Sequence, residues 1–282
     1  IIVGGAYADG IATGNGNAVI VGDEGVLIGD ATMAAAGKVA MTLLSASTVV
    51  GTNEGADIIT TGLGSVLILG GAGGDIITTS AGAVIGTAAG ANIILGDHGR
   101  VVFANPQTGA NLPTLVETLF STSGGDDVIT TGAGNDLIIG GTGADRISAS
   151  AGNNLMFGDH ASISGTIDPT RLLQFSAGYT IQSAFTGASD SGGADVINGG
   201  AGKDLIVGGQ GADAIYGGAG DDDLIGGHYL TAAQATLTTA TASSDGGDLI
   251  DGGAGHDAIL GDSGSVIRAA TDVRMRAIQG AT

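Results

Sequence analysis

The sequence predicts an all-β fold, a parallel β-roll or β-solenoid of nonapeptide repeats interrupted by β-hairpin-like insertions. Three observations predict it: a period of nine residues, 56 glycines among 282 residues, and a 43% hydrophobic fraction with only 3% aromatic residues. Ile, Leu, Val and Ala can fill thin apolar layers, whereas a thick core needs larger side chains. Only 3 prolines accompany the glycines, which therefore indicate repeated tight turns rather than a collagen-like chain.

The period of nine is clearest at residues 199–225, which read GGAGKDLIV, GGQGADAIY and GGAGDDDLI. Each unit is G-G-x-G-x-D-x-U-x, where U is a large apolar residue. The x-U-x tripeptide predicts a short strand, and the glycine-rich hexapeptide predicts a turn. Two units then form one coil, and stacked coils form two parallel sheets that face each other. The register covers sixteen units in five blocks: residues 4–21, 52–87, 122–157, 190–225 and 243–260.

The sixth position of the unit supplies the candidate metal ligands. It is Asp in twelve of sixteen units, a frequency that general turn propensity does not explain, because only 25 of 282 residues are Asp. Ca²⁺ takes six to eight oxygen ligands, so carboxylates beside glycine carbonyls suit it. The predicted ligands for multiple Ca²⁺ ions are Asp9, Asp57, Asp75, Asp127, Asp136, Asp145, Asn154, Asp195, Asp204, Asp213, Asp222, Asp248 and Asp257.

Aligned turns of successive coils predict which of these ligands are neighbours. Units two apart stack, which pairs Asp57 with Asp75, Asp127 with Asp145, Asp136 with Asn154, Asp195 with Asp213, and Asp204 with Asp222. In the second block, Val66 and Val84 occupy the alternate sixth positions, so we expect calcium along one edge only there.

Charge and composition exclude several classes of partner and site. The net charge of −20 disfavours nucleic acid and favours cations. The chain has no cysteine, which excludes disulfides and thiolate metal sites. No apolar run approaches the roughly 20 residues of a transmembrane helix. We expect one continuous solenoid fragment over residues 1–282.

Insertions separate the blocks, at residues 26–51, 99–121, 160–189, 228–242 and 263–282. Gly-Asp motifs precede them: GDEG from Gly22, GDHG from Gly96, GDSG from Gly261 and a looser GDHA from Gly158, whereas the fourth block ends in GGHYL. A turn signal at 105–109 between apolar runs predicts a β-hairpin. Threonines and alternating apolar residues favour strands in the insertions, and short helices at 34–44 and 231–237 are the alternative.

Two sharper interpretations have weaker support than the repeat. His98, His160, His228 and His256 lie in different blocks without a zinc motif, so we expect them in surface turns. The GDSG at 261–264 resembles a serine-protease motif but has parallel copies without serine, which favours a turn and no enzyme activity.

The nonapeptide units resemble the RTX (repeats-in-toxin) family, whose hemolysin-type calcium-binding repeats form β-rolls in proteins of Gram-negative bacteria. The resemblance covers roughly 144 residues, sixteen units of nine. It implies an extracellular, secreted or cell-surface location, type I secretion, and folding at extracellular calcium concentrations. The family attaches this module to toxins, lipases, proteases, adhesins and surface layers.

The interrupted super-repeat favours a structural or adhesive repeat protein, such as a stalk, sheath or surface layer. Association of copies end to end is a further expectation. The alternative is an accessory module of a secreted enzyme or toxin whose catalytic domain lies outside this sequence. A glycan- or ice-binding solenoid would need a long, regular row of exposed threonines, and the pairs Thr60-Thr61, Thr78-Thr79 and Thr130-Thr131 are few.

Overall fold

A computed structural model of the chain describes residues 1–33, 39–51, 54–80, 91–104, 112–168, 172–173, 179–182, 192–230, 246–269 and 272–280. These residues form 25 strands and no α-helix. Residues 39–44 belong to a strand, so the alternative of a short helix at 34–44 is wrong there, and residues 231–237 lie outside the described residues. Across the described part of the chain, no helix is long and apolar enough to cross a membrane.

Two parallel sheets form the roll, as the period of nine predicts. The first, which we call the open sheet, has eight strands in the order β2 (Gly10–Ala12), β6 (Ile58–Thr61), β8 (Ile76–Thr79), β12 (Val128–Thr130), β14 (Arg146–Ser148), β18 (Val196–Asn198), β20 (Ala214–Tyr216) and β22 (Leu249–Asp251). The second, the covered sheet, has nine strands: β1 (Ile2–Val3), β3 (Ala18–Val21), β7 (Val66–Leu69), β9 (Ile93–Leu95), β13 (Leu137–Ile139), β15 (Leu155–Phe157), β19 (Leu205–Val207), β21 (Asp223–Ile225) and β23 (Ala258–Leu260).

The inner core lies between these two sheets. The eighth residues of the interior units form it, with Ile77, Ile129 and Ile147 from the open sheet facing residues such as Ile138 and Ile206 from the covered sheet. These side chains are at most 1% exposed. Burying one such side chain contributes about 1.5–3 kcal/mol, and the contribution recurs along the interior coils.

A third sheet, the lateral sheet, consists of three hairpins from the insertions. Its antiparallel strands are ordered β17 (Tyr179–Gln182), β16 (Ser162–Gly165), β11 (Pro113–Thr118), β10 (Gly99–Phe103), β5 (Val39–Thr48) and β4 (Gly25–Met33). The pairing of β10 with β11 confirms the predicted hairpin, whose turn at 105–109 lies outside the described residues. A fourth hairpin joins β24 (Gly264–Ala269) to β25 (Asp272–Gly280).

The lateral sheet covers one face of the roll and leaves the other open. Its apolar residues, including Val101, Val116 and Ile163, form a second core with covered-sheet residues such as Leu95 and Leu155. Strands of the covered sheet are consequently buried on both faces, as at β13, whereas open-sheet strands alternate exposed and buried positions, as at β12. The composition did not predict this second apolar layer.

The outer face of the open sheet carries a short row of threonines. Thr60, Thr78 and Thr130 are exposed and lie opposite one another on consecutive strands. The row continues with Ser148 and Asn198, so the regular threonine array is limited to three strands.

Candidate metal centre

Two columns of turns connect the sheets, and we number them by the sheet that they enter. The first column enters the open sheet, and its sixth-position residues are Asp9, Asp57, Asp75, Asp127, Asp145, Asp195, Asp213 and Asp248. The second column enters the covered sheet, and the corresponding residues are Ala18, Val66, Asn92, Asp136, Asn154, Asp204, Asp222 and Asp257.

A continuous ladder of hydrogen bonds joins the aspartates of the first column. The backbone N–H of Asp75 donates to Oδ1 of Asp127 at 2.7 Å, and the N–H of Asp127 donates to Oδ1 of Asp145 at 2.8 Å. The same bond links Asp9 to Asp57, Asp57 to Asp75, Asp145 to Asp195, Asp195 to Asp213, and Asp213 to Asp248 at 2.8–2.9 Å. One oxygen of each carboxylate thereby fixes the side chain against the preceding coil.

The second oxygen of the ladder carboxylates is buried without a protein donor. Oδ2 of Asp57, Asp75, Asp127, Asp145 and Asp195 accepts no hydrogen bond from the described residues. These side chains are at most 1% exposed. A buried carboxylate oxygen without a donor is strongly unfavourable, so each position has the chemistry of a cation ligand.

Backbone carbonyls lie beside these oxygens, because the first residue of each turn is glycine. A Cβ at Gly140 would be closer than 3.0 Å to both Oδ2 of Asp145 and the carbonyl oxygen of Gly158 in the next coil. A side chain here would occupy the space that the two oxygens face. Carboxylate and carbonyl oxygens from adjacent coils therefore converge at a point where only glycine leaves room for an ion.

The charge balance of the first column favours cation binding. Burial raises the pKa of Asp75 and Asp145 to about 8 and that of Asp195 to about 10, with neighbouring carboxylates adding to each shift. Burial likewise raises the pKa of Asp127, and the nearby charges of Asp97 and Asp145 raise it further. Burial therefore disfavours the ionised form of these carboxyls, and a bound cation would favour it.

The second column is less acidic than the first. The N–H of Val66 donates to Oδ1 of Asn92 at 3.1 Å, and that of Asn92 donates to Oδ1 of Asp136 at 3.0 Å. The ladder continues from Asp136 through Asn154, Asp204 and Asp222 to Asp257 at 2.8–3.1 Å. Neutral amides thus alternate with carboxylates in the middle of this column.

The structure brings together all five pairs of ligands that the sequence predicts to be neighbours. It differs at the fourth unit of the second block, which the sequence places at 79–87. The next strand after β8 is β9, so Asn92 holds the sixth position and follows Val66 in the second column. Val84 lies outside the described residues.

Three further aspartates of the first column, Asp23, Asp97 and Asp159, were not among the predicted ligands. Each is the Asp of a Gly-Asp motif and is at most 4% exposed. Oδ1 of Asp97 accepts the N–H of Gly125 at 3.1 Å, and Oδ2 accepts the N–H of Thr142. Burial raises the pKa of Asp97 to about 9. The recurrence of Gly-Asp before the insertions was the signal for these residues.

The histidines correct another expectation. His98, His160 and His228 are at most 4% exposed and do not lie at the surface, whereas His256 is exposed, as predicted. Nε2 of His98 is 3.4 Å from Oε2 of Glu54, and burial lowers the pKa of His98. No three His, Cys, Asp or Glu side chains converge as a metal cluster in the described ranges. A metal site here must therefore recruit backbone carbonyls, a donor set that suits Ca²⁺ better than Zn²⁺.

Stacked glycine turns, buried carboxylate oxygens and adjacent carbonyls define a calcium-binding parallel β-roll. The RTX calcium-binding nonapeptide repeat matches the chain in four copies, at residues 51–84, 121–158, 189–227 and 243–265. The chain therefore carries RTX calcium-binding nonapeptide repeats, and these repeats bind several Ca²⁺ ions. No curated protein and no solved structure matches the chain significantly.

Proposed function

We propose that this chain is a structural or adhesive region of an extracellular protein that folds on calcium after type I secretion. The observation that carries the proposal is the row of buried Oδ2 atoms of Asp57, Asp75, Asp127, Asp145 and Asp195, which accept no hydrogen bond among the described residues. Closing the coils at low calcium would desolvate these carboxylates without compensation. Calcium outside the cell would compensate this desolvation by binding the carboxylates. Each ion that binds only the folded chain adds folding free energy.

The lateral sheet supports a structural role. Hairpins from three successive insertions join edge to edge along the roll. Each further block with its insertion would therefore lengthen both the roll and the lateral sheet that stiffens it. The proposed role involves no catalysis by this chain. In the GDSG motif, Oγ of Ser263 accepts the backbone N–H of His228 at 2.9 Å, which is the behaviour of a turn residue.

Far-UV circular dichroism during a calcium titration, from chelator to about 10 mM, tests the folding part of the proposal. The wild-type chain should convert from coil to β-structure. The double variant Asp127→Asn/Asp145→Asn keeps both Oδ1 acceptors but removes two charges from buried positions, so it should need several-fold more calcium.

The matched control is Asp168→Asn/Asp251→Asn, which removes two charges from positions outside the turns of the first column. Its calcium midpoint should remain close to wild type. Equal midpoints for the two double variants would show that overall charge, and not the buried ladder, controls folding. A wild-type spectrum that ignores calcium would contradict the proposal.

A further inference from the structure

The insertions of the lateral sheet interrupt turns of the first column instead of following completed coils. The uninterrupted turn Gly140–Asp145 provides the reference. There, the position of a Cβ at Gly140 is bounded by Oδ2 of Asp145 in the same turn and by the carbonyl of Gly158 in the next coil.

Gly96 and Asp127 reproduce this arrangement, although β10 and β11 lie between them in the chain. A Cβ at Gly96 would be closer than 3.0 Å to Oδ2 of Asp127 and to the carbonyl oxygen of Gly140. The pairs Gly22 with Asp57, Gly158 with Asp195, and Gly226 with Asp248 show the same relation. Gly96-Asp97 is thus the first part of a turn whose remainder, Gly124–Asp127, follows the hairpin.

Asp97 fastens the two parts of its interrupted turn. Its Oδ1 accepts the N–H of Gly125 from the far side of the insertion, and its Oδ2 accepts the N–H of Thr142 from the next coil. The second residue of the uninterrupted turn, Gly141, has a φ of 122°, whereas Asp97 is not among the non-glycine residues with positive φ. Where the insertion interrupts the turn, its second residue therefore no longer needs the positive φ that favours glycine, and this residue can be an aspartate.

The other two Gly-Asp motifs that precede hairpins of the lateral sheet make equivalent bonds. Asp23 accepts the N–H of Gly55 across the first insertion at 3.3 Å and the N–H of Ala72 in the next coil at 2.7 Å. Asp159 accepts the N–H of Gly193 at 3.2 Å and that of Gln210. At the base of each of these three insertions, an aspartate thus accepts the same pair of backbone hydrogen bonds.

An oxygen without a donor lies within each fastened turn. Oδ2 of Asp57, Asp127 and Asp195 accepts no hydrogen bond from the described residues, and each of these side chains is 1% exposed. Each oxygen faces the first glycine of its turn, which comes from before the insertion. The donor set for a cation therefore spans both flanks of the hairpin.

We infer that Gly22-Asp23, Gly96-Asp97 and Gly158-Asp159 are the first halves of composite calcium sites, so that one ion closes the base of each insertion. This inference rests on the proposed calcium-coupled folding. Asp23, Asp97 and Asp159 act as positioning residues, since their oxygens bind amides of both chain segments. Calcium then anchors the lateral sheet to the roll as well as joining one coil to the next.

Deletion of residues 160–191 provides the sharpest test. It joins Gly158-Asp159 directly to Gly192–Asp195 and creates one contiguous turn of six residues, GDGGAD. It removes β16 and β17, which lie at one edge of the lateral sheet. We expect the number of calcium ions bound per chain, measured by equilibrium dialysis, to be unchanged. The matched deletion of residues 159–191 leaves the turn one residue short and should lose at least one ion.

Point variants of the full chain test the same idea without deletion. Asp195→Asn alters an interrupted turn, and Asp204→Asn alters the uninterrupted turn Gly199–Asp204 in the second column. Amide hydrogen exchange then reports the calcium concentration that protects β16 and β17. Since even outer-shell changes cost metal sites roughly tenfold or more in affinity, Asp195→Asn should raise that concentration by about tenfold. Asp204→Asn should leave it within about twofold.

The outcomes separate this inference from the proposed function. A wild-type chain that folds with calcium, combined with ion loss in the 160–191 deletion and equal protection of β16 and β17 in the two point variants, would overturn the composite sites alone. A wild-type chain that neither binds calcium nor gains protection would overturn both proposals.

Discussion

The two turn columns have the same backbone and the same coil spacing, but they differ in charge. In the first column, eight sixth positions from Asp9 to Asp248 are all Asp, whereas the second column contains Ala18, Val66, Asn92 and Asn154 among its eight. All three hairpins of the lateral sheet leave the roll from the first column. The comparison teaches that the glycine-rich backbone forms a turn whether or not a carboxylate is present, and we propose that the carboxylates mark where cations bind.

We expect the largest change in calcium requirement where first-column aspartates lie beside second-column residues that carry no charge. Asp57→Asn/Asp75→Asn removes the first-column charges beside Val66 and Asn92. Since solenoid coils depend mainly on their neighbours, hydrogen exchange at 58–79 should then require at least tenfold more calcium for protection, as lost ligands cost affinity on this scale.

Asp204→Asn/Asp222→Asn is the matched change in the second column. Asp195, Asp213 and Asp248 of the first column remain beside it, so protection of 205–225 should shift by a smaller factor. A larger shift in this variant than in the first-column variant would reverse the proposed ranking of the columns.

The calcium-free chain should respond to pH with a sign set by the raised pKa values. A carboxyl whose folded pKa lies above its usual value stabilises the fold below about pH 4, and this contribution disappears as pH rises through the folded pKa. Asp136 of the second column, with a pKa of about 6, loses it first, and Asp75 and Asp145 of the first column, at about 8, lose it later.

In chelator, circular dichroism should therefore show more β-structure at pH 5 than at pH 8. Asp75→Asn/Asp145→Asn should reduce the difference, because these variants remove two groups with a pKa of about 8 that lose protons over this pH range. An increase of β-structure from pH 5 to pH 8 in the calcium-free wild type would contradict the assigned direction. Calcium binding near pH 7 should also release protons.

A carboxylate added to the second column should increase the stabilisation by calcium, an effect smaller than the losses above and opposite to them in sign. Nδ2 of Asn154 donates to the carbonyl of Gly199 at 3.2 Å. In Asn154→Asp, two oxygens would face each other at this point, at a cost of about 1–3 kcal/mol without a cation. With calcium, both oxygens become ligands, so thermal unfolding should show destabilisation in chelator and a larger gain from calcium than in wild type.

Asn153→Asp is the control for this gain. Asn153 is exposed and its Oδ1 accepts the N–H of Lys203 at 2.9 Å, so the substitution adds the same charge without entering the column. Its unfolding temperature should change little in either condition. A similar calcium gain in both variants would mean that added charge alone accounts for the effect.

The sequence predicted the parts of the fold that repeat locally. One Ile in nine and one Asp in nine, as at Ile129 and Asp127, determine which side chains face the inner core and which face the turn column. Neighbouring ligands two units apart follow from the same count. These predictions need no knowledge of long-range pairing, because each coil contacts the next at a constant sequence separation.

Prediction failed where the chain departs from that constant separation. Before Asn92 there is neither a Gly-Gly pair nor an Asp to mark the turn, so the register through 79–87 was assigned by counting alone. Gly96-Asp97 lies far in sequence from Asp127, and its place in the same turn depends on coil stacking. Burial of His98 and of the outer face of the covered sheet depends on the lateral sheet, whose strands come from separate insertions.

The interrupted turn also affects how easily the roll accommodates new sequence. Loop-closure free energy grows only with the logarithm of loop length, so doubling an insertion costs about 0.6 kcal/mol. The cut at the second residue of the turn keeps Gly96 and Asp127 at their places whatever the intervening length. Segments of different size and sequence can therefore replace one another at these positions in evolution or design, while the spacing between successive coils of the roll stays constant.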